Sequence, residues 1–429
     1  MKYLIKSGNV IDPINNINTV MDILIEDGKI QNVDENIYTK DCIIINAAGK
    51  YVCPGFIDMH VHLREPGFEY KEDIASGTRA AAAGGFTTVC CMPNTKPVID
   101  NAAVATFVRE RASRSGVVNV LPIGSITTGQ AGKELSPMAE LKAAGCIGVS
   151  DDGVPVSDSS VMRHAMEYAK MFQLPVISHC EEKSLSREGQ MHEGYYSTVY
   201  GLKGIPSLAE EIMVARDVML SEYTGSHIHI CHISTAGSVE IIRQAKKKGI
   251  RVSCEATPHH LALTDEMLGD YDADTKVNPP LRSRQDVDAL RAGLSDGTID
   301  CIVTDHAPHH KESKDCEFEV ASFGISGLET AVAVIMDQLV RPGILDMEYM
   351  VELFTSRPAN LLGIPKGSMG IGCEADITII DPELKKTVNP QSFFSKGKNT
   401  PFKGWELCGW PVATMVGGRL VAEDGKVNG

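Results

Sequence analysis

No apolar run in this chain approaches the roughly 18 residues that a membrane-spanning helix needs. The opening MKYLIKSGNVIDP breaks at Lys6, Ser7 and Gly8 before an apolar signal core forms, so export by that route is not expected. No CxxC pair occurs among the twelve cysteines. Most of them sit in apolar runs, as in TTVCCM and DCIVTD, which reads as buried, reduced thiols in a cytoplasmic protein. Basic residues are outnumbered, 41 to 56, and the net charge is −15. That argues against a nucleic-acid binder or a binder of anionic membranes, both of which need basic surface. A local basic pocket for a small anion stays open. The glycine-rich pieces AAAAGGF and SFGISG lack Walker or dinucleotide spacing, so no nucleotide site is read into them. No internal repeat or low-complexity segment stands out.

What is present is an ordinary globular composition, 43% apolar and 23% charged, in 429 residues. That length suits a large barrel with a small attached domain. Residues 1–54 read as short strands, with an Asp27-Gly28 hairpin turn inside MDILIEDGKIQNV. Residues 365–429 look alike: ADITIIDP is a strand closed by Asp381-Pro382, and VATMVGGRLVAEDGKV turns at Gly417-Gly418. Neither end can bury a good core alone, so the two are expected to pack as one composite β-sandwich domain. Residues 55–364 behave differently. Eight continuous apolar strand candidates, from FIDMHVH to IDCIVTDH, alternate with helical stretches. That pattern predicts an α/β fold, a (β/α)8 TIM-like barrel, with a doubly wound open sheet as the alternative.

Polar residues gather where these strands end. His60 and His62 close the first strand and share a face by alternation. Asp151 and Asp152 follow the fourth, His179 the fifth, His232 the sixth and Asp305 the eighth. Imidazole and carboxylate without cysteine suit a catalytic metal site with open positions. Six donors are too many for one tetrahedral ion and fit two ions sharing a bridging carboxylate. One histidine at a strand end is usually structural; recurrence on five strands is what lifts the reading. His164, His192, His227 and His229 are read as structural, and His259 and His260 as supporting or packing residues. Arg64, two residues past His62, offers a fork for a carboxylate. Asn94, Asn278 and His309 lie on loops at the same rim, where a turn or capping role is the plain alternative.

Taken in order, FIDMHVHLREPG, GGFTTVCCMPNTKPV, SDDG, SHCEE, CHISTAGS, TPHHL, NPPLR, TDHAPH and KGKNTPFKGW resemble the dihydroorotases of the bacterial type, within the amidohydrolase superfamily. The resemblance spans nearly the whole chain. It implies a metal-dependent barrel and the reversible interconversion of L-dihydroorotate plus water with N-carbamoyl-L-aspartate, in pyrimidine biosynthesis. Imidazole and carboxylate donors admit zinc, manganese, cobalt or iron; the resemblance favours zinc and implies two ions per subunit, one on His60, His62 and Asp305, the other on His179 and His232. The bridge falls on Asp152, with Asp151 as the alternative. It implies Asp305 as the catalytic proton carrier. Arg64, Asn94 and His309 would hold the substrate, chiefly its carboxylate, with His62 beside it. Asn278 would contact the ring, and the backbone at Phe323 and Gly324 would complete the pocket. KGKNTPFKGW would lie outside the site. A homodimer is implied, and the resemblance leaves open a complex with an aspartate transcarbamoylase.

Two features stand apart from the pattern. The fourth strand offers no lysine for the carbamylated bridge used by many relatives, and Ser322 stands where the family has proline. The charged segment HKESKDCEFEVAS either covers the site or is a solvated loop. The nearest rival is a hydantoinase or allantoinase, whose substrates do not need Arg64 with Asn94. A non-catalytic scaffold is the rival of another class, and a metal assay separates it.

Overall fold

The structure, a computed structural model, describes residues 1–428. Eight parallel strands run through its centre: Phe56–Val61, Phe86–Cys91, Asn119–Pro122, Val149–Ser150, Val176–Ser178, Ile228–Ile230, Val252–Ala256 and Cys301–Ile302. The first three form one sheet and the last five another. Parallel bridges from Gly124 to Val149 and from Val61 to His306 join the two sheets at both edges. Most strand residues are buried, since helices cover the outer faces, and apolar residues predominate in them.

The helices follow their local signals. Ile74–Ala83 opens on an Asp73 capping box with Ser76, and Ala102–Ser115 opens on an Asn101 cap. Helix Arg284–Ser295 carries a Ser283–Asp286 capping box and buries Val287, Leu290 and Leu294. Ala331–Ile335 passes into a wider π-type turn over Met336–Val340.

Nine strands from both ends of the chain form one sheet. Its inner strands are Lys2–Asp12 and Tyr51–Pro54 from the first part, and Ile377–Thr387 and Glu406–Val416 from the last. The expected hairpin turns at Asp27-Gly28, where both residues have positive φ, 51° and 81°. Ile5, Val10, Ile23, Ile25, Val52, Ile377 and Met415 share the buried cluster of this sheet. One expectation is corrected. The strand does not close at Asp381-Pro382 but runs on to Thr387 across a register shift. Asp381 accepts from the Glu383 and Leu384 N–H groups there, which lets a proline sit at a bulge.

Between its two long C-terminal strands the chain leaves the sheet and reaches the barrel mouth. Ser395 there donates to Glu72, and Asn399 contacts the loops that follow the eighth strand.

Candidate active site

Met59 and His60 are neighbours in sequence, yet both lie inside the barrel. Met59 joins the interior apolar cluster with Cys90, Cys231 and Cys301. His60 reaches Glu255, Asp152 and Asp305. Strand pairing slips between Asp58 and Val61, which accommodates two inward residues in a row. The apolar cluster thus floors a polar one at the ends of the strands.

That polar cluster is tight. His60 Nε2 lies 3.5 Å from Asp152 Oδ1 and 3.5 Å from Asp305 Oδ1. His62 Nε2 lies 3.2 Å from Asp305 Oδ1 and 3.5 Å from Asp152 Oδ2. His179 Nδ1 is 3.0 Å from His232 Nε2 and 3.6 Å from Asp152 Oδ1. Asp152 is therefore central to all four imidazoles, with His232 Nε2 at 3.9 Å. Asp151 points elsewhere: it accepts from the Ile126 and Thr127 N–H groups and the Thr127 hydroxyl, tying down the loop after the third strand.

Buried polar atoms here lack partners. His60 Nε2, His232 Nδ1 and Asp152 Oδ1 make no hydrogen bond. Buried polar atoms are normally satisfied, so unpaired ones converging at one place mark a site for a ligand that is itself a cation or a donor. Charge argues the same way. Burial alone would raise the Asp152 and Asp305 carboxyls, but the surrounding imidazoles, His60 foremost, hold both below the carboxylate range. Burial opposes charge on His60 too, and the Glu255 carboxylate outweighs it and raises that imidazole. The cluster calls for positive charge, which divalent ions on nitrogen and oxygen donors would supply.

Arg64, His232 and Asp305 sit at φ of 61°, 28° and 46°, a region non-glycine residues rarely occupy. Strain of this kind costs on the order of 1–3 kcal/mol per residue and gathers at functional sites.

A cavity of about 610 Å³ opens over the cluster, lined by Arg64, Asn94, Asn278, His309, Phe323 and Gly324 among others. Asn94 bridges His62 and Asp152, its Oδ1 2.9 Å from His62 Nδ1 and its Nδ2 donating to Asp152 Oδ2 at 3.3 Å. Asn278 donates to Glu181 Oε2 at 3.1 Å. His309 donates through Nε2 to the Phe323 carbonyl at 2.8 Å. Burial, with Arg64 and Lys71 nearby, pushes His309 down to about 2, so it is neutral and its unpartnered Nδ1 is an acceptor. A side chain at Gly324 would meet the Ala307 carbonyl oxygen at 2.7 Å, so the wall there is bare backbone. The segment between His309 and Phe323 is tied down. Lys276 donates to the Phe318 and Glu319 carbonyls, and Lys314 to those of Ala273, Lys276 and Ser322.

Sequence reasoning missed two carboxylates. Glu255 takes His60 Nδ1 at 2.7 Å and His229 Nε2 at 2.9 Å, so His229 is part of a buried chain leading to the cluster. Glu181 takes His179 Nε2 at 3.0 Å and Lys183. A lone glutamate inside the fully buried strand Val252–Ala256 was the signal available for the first.

The dihydro-orotase-like family model matches residues 49–238. A dihydroorotase of Pelotomaculum thermopropionicum is 56% identical over 424 residues, covering 99% of each chain. One of Acetivibrio thermocellus is 53% identical over 421 residues, covering 98% of this chain and 99% of that one. Among solved structures, an L-hydantoinase (dihydropyrimidinase) from Arthrobacter aurescens matches with a TM-score of 0.90 at 26% identity, covering 100% of this chain and 97% of that one. A D-hydantoinase (dihydropyrimidinase) from Thermus sp. matches with a TM-score of 0.86 at 25% identity, covering 100% and 96%. The barrel, the strand-end cluster and these likenesses define a cyclic-amide hydrolase of the amidohydrolase superfamily, whose members depend on metal. Within that class, the chain belongs to the dihydroorotase family.

Proposed function

We propose that the strand-end cluster holds two zinc ions and interconverts L-dihydroorotate plus water with N-carbamoyl-L-aspartate, in pyrimidine biosynthesis. His60, His62 and Asp305 would hold one ion, His179 and His232 the other, and Asp152 would bridge. The observation that carries this reading is the pair of buried, unpartnered atoms His60 Nε2 and Asp152 Oδ1, 3.5 Å apart among three further imidazoles. Such ions supply charge that acidifies water and polarises the ring carbonyl.

The chain's own residues do the rest. In hydrolysis the water oxygen bonds to the ring carbonyl carbon, the carbon–nitrogen bond breaks, and the nitrogen gains a proton. Asp305, kept ionised by its imidazole neighbours, takes the water proton and delivers it to the leaving nitrogen. Arg64 pairs with the substrate carboxylate, beside Asn94 and neutral His309. Asn278 meets the ring, and the Phe323–Gly324 backbone closes the pocket. This division of labour supports a carboxylate-bearing substrate over a plain hydantoin.

The test is metal content. Asp152→Asn is expected to lose bound zinc, whereas Asp151→Asn, whose carboxyl serves the Ile126–Thr127 loop, keeps about the wild-type amount by atomic absorption. Loss in the second variant with retention in the first would reverse the bridge assignment.

The chain is read as two units, residues 1–54 with 365–429 and residues 55–364. A cytoplasmic setting is supported by twelve unpaired cysteines, nine of them buried. A homodimer is supported by Leu208, Ile212, Met219 and Tyr223, exposed along helix Leu208–Thr224. Sedimentation showing only monomer at micromolar concentration would remove that reading. An aspartate transcarbamoylase is the family's implied protein partner, tested by co-elution of the two enzymes.

A further inference from the structure

The segment KGKNTPFKGW belongs by sequence to the terminal strands, yet one of its side chains works at the barrel mouth. Asn399 is 4% exposed, and every polar atom of its side chain is engaged. Its Nδ2 donates to the Gly324 carbonyl at 3.0 Å and lies 3.5 Å from that of Ala307. Its Oδ1 accepts from the His309 N–H at 3.1 Å and from the Ser326 hydroxyl at 3.2 Å. Its own carbonyl accepts from the Ser326 N–H at 2.6 Å. One amide therefore clamps the stretch carrying His309 to the stretch carrying Phe323 and Gly324.

The approach is close by construction. A Cβ at Gly397 would lie 2.5 Å from Pro308 Cβ and 2.6 Å from Ser326 Oγ, so only glycine lets this segment seat. The Pro308 carbonyl in turn accepts from Arg64 Nε at 3.4 Å. Asn399 thus ties the His309 loop, whose Pro308 carbonyl Arg64 also meets, to the Phe323–Gly324 backbone, and it touches none of the six metal-site side chains.

We infer that Asn399 is a positioning residue for substrate: it sets the spacing of His309 and the Phe323–Gly324 backbone, and so governs substrate affinity rather than metal chemistry. This rests on the reading of the site given above. A residue that merely held the fold would shift stability, zinc content and turnover together. A clamp on the substrate wall shifts KM alone.

Asn399→Asp keeps the size and the acceptor, removes both donors, and adds charge beside two carbonyl oxygens. In the zinc-loaded full-length enzyme, KM for L-dihydroorotate should rise about tenfold or more, with kcat within about threefold and zinc per chain unchanged. Unchanged KM, or kcat falling together with zinc content, would overturn the inference. Should that variant not fold, Ser326→Ala decides. It removes one of the clamp's hydrogen bonds and should raise KM about two- to fivefold; an unchanged KM overturns the inference. A wild-type enzyme inactive on L-dihydroorotate overturns the reading of the site, and the inference with it.

Discussion

Replacing Glu255 with glutamine tests how the buried interior supports the metal cluster. The carboxylate is fully buried. Its Oε1 accepts from His60 Nδ1 at 2.7 Å and from the His232 N–H at 3.2 Å, and its Oε2 accepts from His229 Nε2 at 2.9 Å. By accepting a hydrogen bond from His60 Nδ1 it orients the ring so that Nε2 faces Asp152. Burial alone would raise this carboxyl, but His60 and His229 outweigh it and hold it down to about 2, against an ordinary 4.5. A carboxyl with a folded pKa below its unfolded one stabilises the fold above the unfolded value. That gain is lost as pH falls from about 4.5 through about 2. At neutral pH it amounts to about 3 kcal/mol. For a chain of 429 residues that is about 3 °C in Tm.

Glutamine keeps an acceptor for His60 but turns an N–H₂ group toward the N–H of His229. Zinc affinity, read by competition with a chromophoric chelator, should fall about 10–100-fold. The Tm of the metal-free variant should lie below wild type at pH 7, and the gap should narrow below about pH 4.5. Wild-type zinc affinity together with a Tm gap that ignores pH would refute the reasoning.

Asp305→Ala removes the proposed proton carrier and metal donor, so turnover of L-dihydroorotate should drop by about 10²–10⁴-fold or more; near-normal turnover in a zinc-loaded variant would sink the assignment. Arg64→Ala should raise KM for L-dihydroorotate by roughly 10–100-fold, the scale of one charged hydrogen bond. If only Tm moves, Arg64 serves its contact with the Pro308 carbonyl and not the substrate.

Much of this architecture is legible along the chain because its signals are local. The eight strands are mostly buried and rich in apolar residues, and the hairpin at Asp27-Gly28 announces its turn. Helix Arg284–Ser295 was equally local, with Ser283, Asp286 and three apolar positions in register, but charged residues between them dilute the pattern. The strand through Pro382 was not legible, since the bulge that admits the proline depends on its neighbour Glu406–Val416. At the site, the strand-end residues advertise themselves by recurrence, and His60, His62, Asp152, His179, His232 and Asp305 do converge. Alternation alone could not choose between Asp151 and Asp152; the choice rests on which one finds backbone donors elsewhere. Glu255 meets His60 across 195 residues and Asn399 meets His309 across 90, pairings that no local pattern encodes, whereas Glu181 lies two residues from His179 and reaches Asn278 only through the fold.

The most direct test of the central claim is the ultraviolet loss of L-dihydroorotate with the purified enzyme, before chelation, after it, and after zinc is restored. The account predicts turnover that chelation abolishes and zinc recovers, with about two ions per chain at full activity. Turnover that persists in metal-free protein, or none with both ions bound, would contradict it.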